Sequence, residues 1–211
     1  MTVANIRDRG IQGAWHAAAV PGDGLVLAHG AGSDHDAPLL VALAEAFSAA
    51  GLAVLRVDLP FRQRQPQGPP PRSTAEEDRR GLQAAVAWMR CRVPGRVFLG
   101  GHSYGGRQSS MLAAEQPGCA DGLLLLSYPL HPPRRPEQVR SGHFSDLRTT
   151  TLFIHGTRDP FGSIEDLAAA RTLIPAPNDL AIVTGAGHDL LGPRNRETLP
   201  VLSVHRFLDL F

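Results

Sequence analysis

The sequence predicts an α/β fold: an open, doubly wound, mostly parallel sheet of about six or seven strands with helices on both faces. Three observations predict it. Apolar runs of strand length recur at 25–28, 53–57, 97–99, 123–126, 151–154 and 180–183. They are nearly continuous rather than alternating, as strands covered on both faces must be. Stretches of helical length separate them, and such βαβα alternation builds parallel sheets whose ligands bind beyond the carboxyl ends of the strands. At 211 residues the chain suits one domain, 1–211, with a core large enough to need no disulfide or metal staple.

Each element follows from its residues. An antiparallel edge strand is expected over 15–20. The first core strand, 25–28, leads through a Gly-rich loop into a helix over 38–50, where Leu39, Leu40, Leu43 and Phe47 form a stripe of helical period. After the second strand, Ser73 with Glu76, or Thr74 with Glu77, reads as a capping box opening a helix over 74–91. A helix over 104–115 follows the third strand at once and stops before Pro117. Helices over 163–173 and 201–211 complete the set. Two segments, 59–72 and 128–150, are rich in Pro and Arg and irregular; both follow strands, so both belong on the binding side of the sheet. There are no repeats and no interdomain linker.

Composition excludes several functions. The formal net charge of +1 gives no electrostatic case for nucleic acid or an anionic membrane as partner. All 21 basic residues counted as Lys+Arg are arginine, which removes Schiff-base and P-loop lysine chemistry and, with abundant Ala, Gly and Pro, suggests a GC-rich bacterial genome. Two cysteines, Cys91 and Cys119, make no secreted disulfide framework. The charged start of the chain lacks the apolar stretch of a signal peptide, and no apolar run spans a membrane. A cytoplasmic protein is expected.

The most informative segment is strand, then Gly101-His102-Ser103-Tyr104-Gly105, then helix. A strand that turns abruptly into a helix holds the central residue in strained geometry and exposes its hydroxyl above the sheet. Gly101 and Gly105 flank it because side chains there would collide as strand and helix close together. A serine hydroxyl becomes a nucleophile only when a histidine takes its proton, and a carboxylate must orient that histidine. Downstream, two further strands end in polar loops carrying Asp159 and His188, in the chain order serine, acid, histidine. Of the nine histidines, His29 and His155 end strands before glycines and read as structural. His102 points away from the nucleophile, and His131 and His143 lie on the irregular loop. Asp166 starts a helix and Asp189 adjoins the histidine it would have to orient. Oxyanion donors are expected from the backbone N–H of Tyr104 and, across the loop after the first core strand, from Ala31 between Gly30 and Gly32. That loop also holds His29, Asp34, His35 and Asp36, but their spacing fits no zinc motif; no metal and no cofactor are expected.

The HGAGSD loop (29–34), the GHSYGG elbow (101–106), the HGTRDPFG loop (155–162) and the GAGHDL loop (185–190) together resemble the α/β-hydrolase superfamily over most of the chain. The likeness is to its compact dienelactone-hydrolase-like branch. The Tyr128–Pro133 run and Gly105-Gly106-Arg107 are similar to a group of small bacterial serine hydrolases, whose eukaryotic relatives include a subunit of a chromatin-acetylating complex. The resemblance implies a triad of Ser103, Asp159 and His188, with Tyr104 and Ala31 as oxyanion donors. Dienelactone hydrolases proper use cysteine where this chain has serine, so their substrate does not carry over.

Function is therefore expected to be hydrolysis of a small carboxylic ester or related acyl compound, through a covalent acyl-enzyme. Thioester, amide or C–C cleavage and acyl transfer would use the same groups; an interaction module on a retained hydrolase fold is the alternative of another class. The two dozen residues after 128 are too few for a lid domain, so an open site is expected. Phe61, Tyr104, Tyr128 and Phe161 are candidates to line it. Arg107 and Arg158 flank the site, to attract an anionic substrate or to form structural ion pairs. A histidine base must be neutral, so activity should fall in acid. Nothing in the residues bears on oligomeric state.

Overall fold

A computed structural model describes residues 3–20 and 22–211. Among them, eight strands form one sheet. β1 (Val3–Asp8) and β2 (Ile11–His16) make an antiparallel hairpin. β3 (Gly24–Ala28), β4 (Ala53–Val57), β5 (Val97–His102), β6 (Leu123–Leu126), β7 (Thr151–Gly156) and β8 (Asn178–Val183) run parallel, in the overall order β1-β2-β4-β3-β5-β6-β7-β8. The helices are α1 (Pro38–Ala49), α2 (Pro60–Arg64), α3 (Ala75–Arg90), α4 (Tyr104–Glu115), α5 (Ile164–Arg171) and α6 (Thr198–Leu210).

The continuous apolar runs are explained by two separate cores. Along β3, Leu25 and Leu27 join one buried cluster with Leu40, Leu43 and Phe47 of α1 and Phe207 of α6. Val26, between them, joins the other with Leu82 and Met89 of α3, Leu112 of α4 and Leu167 of α5. Alternate side chains thus feed opposite faces, and no position in the strand is left for a polar group. Each fully buried Leu or Phe contributes about 1.5–3 kcal/mol relative to its exposed state.

Four expectations are corrected. The sheet has eight strands rather than six or seven, because an N-terminal hairpin extends its edge. The edge strand expected over 15–20 is β2, which ends at His16. Its partner β1 is largely exposed, so its side chains carry no burial pattern to read. The capping box does not form either: a single 3₁₀ turn over Arg72–Thr74 precedes α3, and the Thr74 hydroxyl donates to Pro71 O at 2.8 Å. A side-chain cap is found instead on α5, where Ser163 Oγ accepts from the Asp166 amide at 3.0 Å. Finally, the irregular segments are partly ordered: 59–72 contains α2, and 128–150 buries Tyr128, Leu130 and Phe144. No helix among the described residues is long and apolar enough to cross a membrane.

Candidate active site

Three loops at the carboxyl ends of β5, β7 and β8 bring Ser103, Asp159 and His188 together. Ser103 sits between β5 and α4 with φ 50° and ψ −111°, a conformation that non-glycine residues avoid and that persists only where the surroundings enforce it. The enforcement is steric. A Cβ on Gly101 would lie 2.4 Å from Ala28 O, and one on Gly105 2.6 Å from His29 O. The backbone that these glycines must admit is chiefly the end of β3, the strand beside β5, and the Gly105 amide donates to His29 O at 3.1 Å. A Cβ on Gly30 would sit tightly, 3.0 Å from His102 Nδ1, whereas Gly32 faces open space.

The Ser103 hydroxyl lies 2.8 Å from His188 Nε2, and His188 Nδ1 lies 3.0 and 2.9 Å from the two oxygens of Asp159. A carboxylate can only accept, so Nδ1 carries the proton and Nε2 is left to accept from the serine. Asp159 is buried, with its side chain fully covered. Burial pushes its carboxyl up, but the hydrogen bond and charge of His188, the Phe161 amide at 2.8 Å and nearby His155 outweigh that, and the group lies below the usual carboxylate range. Asp159 therefore stays ionised beneath the imidazole.

The imidazole is held on two further sides. The Phe161 ring stacks on it at 4.1 Å between centroids and 29° between planes. His102 packs 5.2 Å away, and its Nε2–H donates to the His188 carbonyl at 2.8 Å. So His102 does not simply point away from the elbow: burial keeps it neutral, and it anchors the loop that carries His188. Behind Asp159, His155 Nε2–H donates to Gly162 O at 2.9 Å. His29, fully buried, bonds Gly30 O through Nδ1–H and accepts the Leu59 amide at Nε2. Both are structural, as their positions implied.

A cleft of about 650 Å³ opens above Ser103, with Ala31, Tyr104 and Phe161 in its lining and walls made by Pro69–Pro71 and by Pro129 and Val139. Among the described residues, the amides of Ala31 and Tyr104 meet no acceptor within the protein. Both irregular segments thus contribute wall. Of the four aromatic candidates, Tyr104 and Phe161 line the cleft, while Phe61 and Tyr128 are core residues, 1% and 0% exposed. His131 is buried against Pro132 O, and His143 bonds Ser110 Oγ; neither reaches the cleft. Arg107 lines it; among the described residues it forms no ion pair, and its buried Nε has no hydrogen-bond partner. Arg158 is exposed and outside it. Among the described residues, no carboxylate lines the cleft.

Two supporting residues escaped the sequence reading. Asp78, fully buried, accepts the Tyr104 phenol at 2.7 Å and the Phe61 amide at 3.0 Å; in sequence it is one of three acids in a helix's first turn, with nothing to set it apart. Arg62 is buried in a segment too irregular to read. In the loop after β3, His35 and Asp58 bond at 2.8 Å, and Arg56 holds Asp36 at 2.9 Å. Among the described residues, no group of three or more His, Cys, Asp or Glu side chains is arranged to hold a metal ion.

Residues 21–202 match the family model described as an alpha/beta hydrolase domain. The fold is also that of solved hydrolases. A dienelactone hydrolase from Anabaena variabilis superposes with a TM-score of 0.75 at 22% identity, covering 95% of this chain and 92% of its own. An alpha-beta serine hydrolase homologue from Coxiella burnetii gives 0.74 at 18% identity, over 97% and 96%. The esterase domain of a Rhodothermus marinus protein gives 0.70 at 16% identity, over 98% of each. This chain is similar to all three over nearly its whole length.

Proposed function

The chain belongs to the alpha/beta hydrolase family, and on that premise we propose that it is a serine hydrolase that cleaves small carboxylic esters through an acyl-enzyme. The observation that carries this is the unbroken hydrogen-bonded chain from Ser103 Oγ through His188 to the buried, ionised Asp159. In the reaction Ser103 Oγ attacks the acyl carbonyl carbon while its proton passes to His188 Nε2. The charge that develops on the carbonyl oxygen is met by the N–H groups of Tyr104 and Ala31, with the N-terminus of α4 adding its dipole. His188 then returns the proton to the leaving alkoxide, and the acyl group stays on Ser103. Water gives a proton to the same imidazole as it attacks the acyl-enzyme carbonyl, and His188 passes that proton to Ser103 Oγ as the acyl–oxygen bond breaks and the acid leaves. Asp159 steadies the imidazolium and keeps Nδ1 protonated throughout.

The cleft supports a compact substrate, since its walls are short loops rather than a lid domain. Its polar lining supports more. Arg107 lacks a carboxylate partner, so an ester bearing a carboxylate of its own would supply one.

The test is labelling with a fluorophosphonate probe, followed by turnover of p-nitrophenyl esters of increasing chain length. Wild-type protein is expected to label and Ser103→Ala not to; short acyl chains should be preferred, and a dicarboxylic half-ester over the neutral ester of equal length. A folded wild-type protein that neither labels nor hydrolyses any ester would overturn the proposal in favour of an interaction module on a retained fold.

A further inference from the structure

Arg62 is a buried cation close to the cleft. Its side chain leaves α2 and enters the interior, where it is 5% exposed. Among the described residues it meets no carboxylate. Its guanidinium donates instead to four backbone carbonyls: Nε to Ser33 O at 2.8 Å, Nη1 to Gln65 O at 2.9 Å, and Nη2 to Ala31 O at 2.8 Å and Gly68 O at 3.0 Å. The neighbouring Phe61 ring lies 5.0 Å from its central carbon. A buried cation without a counter-ion is tolerated only where its donors are met, and only a rigid planar fork reaches four acceptors at once.

The four carbonyls come from two loops with different duties. Ala31 and Ser33 lie in the loop after β3, which the Ser33 amide closes onto Gly30 O at 3.2 Å. Gln65 and Gly68 lead directly into Pro69–Pro71, one wall of the cleft. The Gly30–Ser33 turn fixes the backbone on one side of Ala31, and Arg62 fixes it on the other. The two restraints together limit how far the Ala31 N–H can turn away.

We propose that Arg62 is a positioning residue that aims the Ala31 amide at the oxyanion and ties it to the Pro69–Pro71 wall, so that one side chain sets transition-state stabilisation and pocket shape together. This rests on the serine-hydrolase reading above. Removing a single oxyanion donor lowers kcat by about 10²–10³-fold in serine hydrolysis, and loosening one should approach the lower figure.

The experiment compares wild type, Ser103→Ala, Arg62→Lys, Arg62→Gln and Arg62→Ala with one short p-nitrophenyl ester and with the fluorophosphonate probe. Both Lys and Gln should lower kcat and the labelling rate by about 10²-fold, with KM moved much less. Lys keeps the charge but cannot span the four carbonyls, so it should fail like Gln. Guanidinium ion at a sub-denaturing concentration should restore part of the activity of Arg62→Ala and none of that of Ser103→Ala. Hydrogen exchange should quicken at residues 30–33 and 65–68 together while the sheet stays protected. An Arg62→Lys enzyme with wild-type kcat would overturn the proposal, as would a rise in KM with kcat retained. So would variants that lose native circular dichroism, since the side chain would then serve folding and not geometry. If wild type itself neither labels nor hydrolyses, the parent reading fails and carries this one with it; if wild type is active and the variants equal it, only this inference fails.

Discussion

At the scale of single residues, the site is a set of protonation states enforced by neighbours. Asp159 is covered on all sides, and burial pushes its carboxyl up; the two short contacts from His188 Nδ1 and the Phe161 amide outweigh that and keep it charged. Asp159→Asn keeps the size but removes that charge, and its amide offers a donor where the imidazole needs an acceptor. We expect kcat to fall by about 10³–10⁴-fold with KM nearly unchanged, measured as single-turnover acylation; a drop under tenfold would mean that the carboxylate is not the orienting group. Much of this was legible in sequence. A glycine pair around a serine, and an acid and a histidine each one loop beyond a strand, are short-range patterns with steric causes. Asp78 was not legible, because its partners Phe61 and Tyr104 arrive from elements 17 and 26 residues away.

At the scale of elements, the elbow depends on β3 lying against both β5 and the start of α4. Gly105→Ala would place a methyl 2.6 Å from His29 O and 2.7 Å from Ala28 O, both backbone atoms that have nowhere to move. The expected outcome is a loss of about 1–3 kcal/mol, read by urea denaturation, with fluorophosphonate labelling slowed as Ser103 shifts. Ser163→Ala is the contrasting change. It removes the one side-chain N-cap bond found on a helix among the described residues, should cost about 1 kcal/mol, and should leave labelling intact. The failed capping box teaches the same lesson. Ser73 and Thr74 carried the right letters at the right spacing, but the chain enters α3 through a 3₁₀ turn, and the Thr74 hydroxyl is taken by Pro71 O. A motif of four residues does not determine the direction from which the backbone arrives.

At the scale of the whole molecule, burial of imidazoles makes stability depend on pH. Burial first, then the charge of Arg56, lowers His16 to about 4, and burial with the charge of Arg107 does the same for His143. Burial also lowers His29, His102 and His155. Each binds its proton more readily when unfolded, from the ordinary value of 6.5 downward, so their contribution is complete above that pH and is lost as pH falls through their folded values, about 4 for His16 and His143. His35 opposes them: its hydrogen bond to Asp58 raises it, giving stability that is present below 6.5 and lost as pH rises through its folded value. Five groups against one predict a net loss in acid. The urea midpoint should drop between pH 7 and pH 4.5, and His16→Gln, which keeps an acceptor for Arg56, should lessen the drop; an unchanged midpoint would refute the account.

By itself the sequence determined the doubly wound sheet, the helices that cover it and the three loops bearing Ser103, Asp159 and His188. These follow from periodicity and turn sterics, which act over a few residues and leave their mark in adjacent letters. Only the tertiary structure decided the N-terminal hairpin, the neutral His102 beneath the His188 loop, the Asp78–Tyr104 bond and the four-carbonyl grip of Arg62. The hairpin was hidden because β1 is largely exposed; the other three join groups far apart in the chain through contacts of about 3 Å, a distance set by packing and not by spacing along the chain.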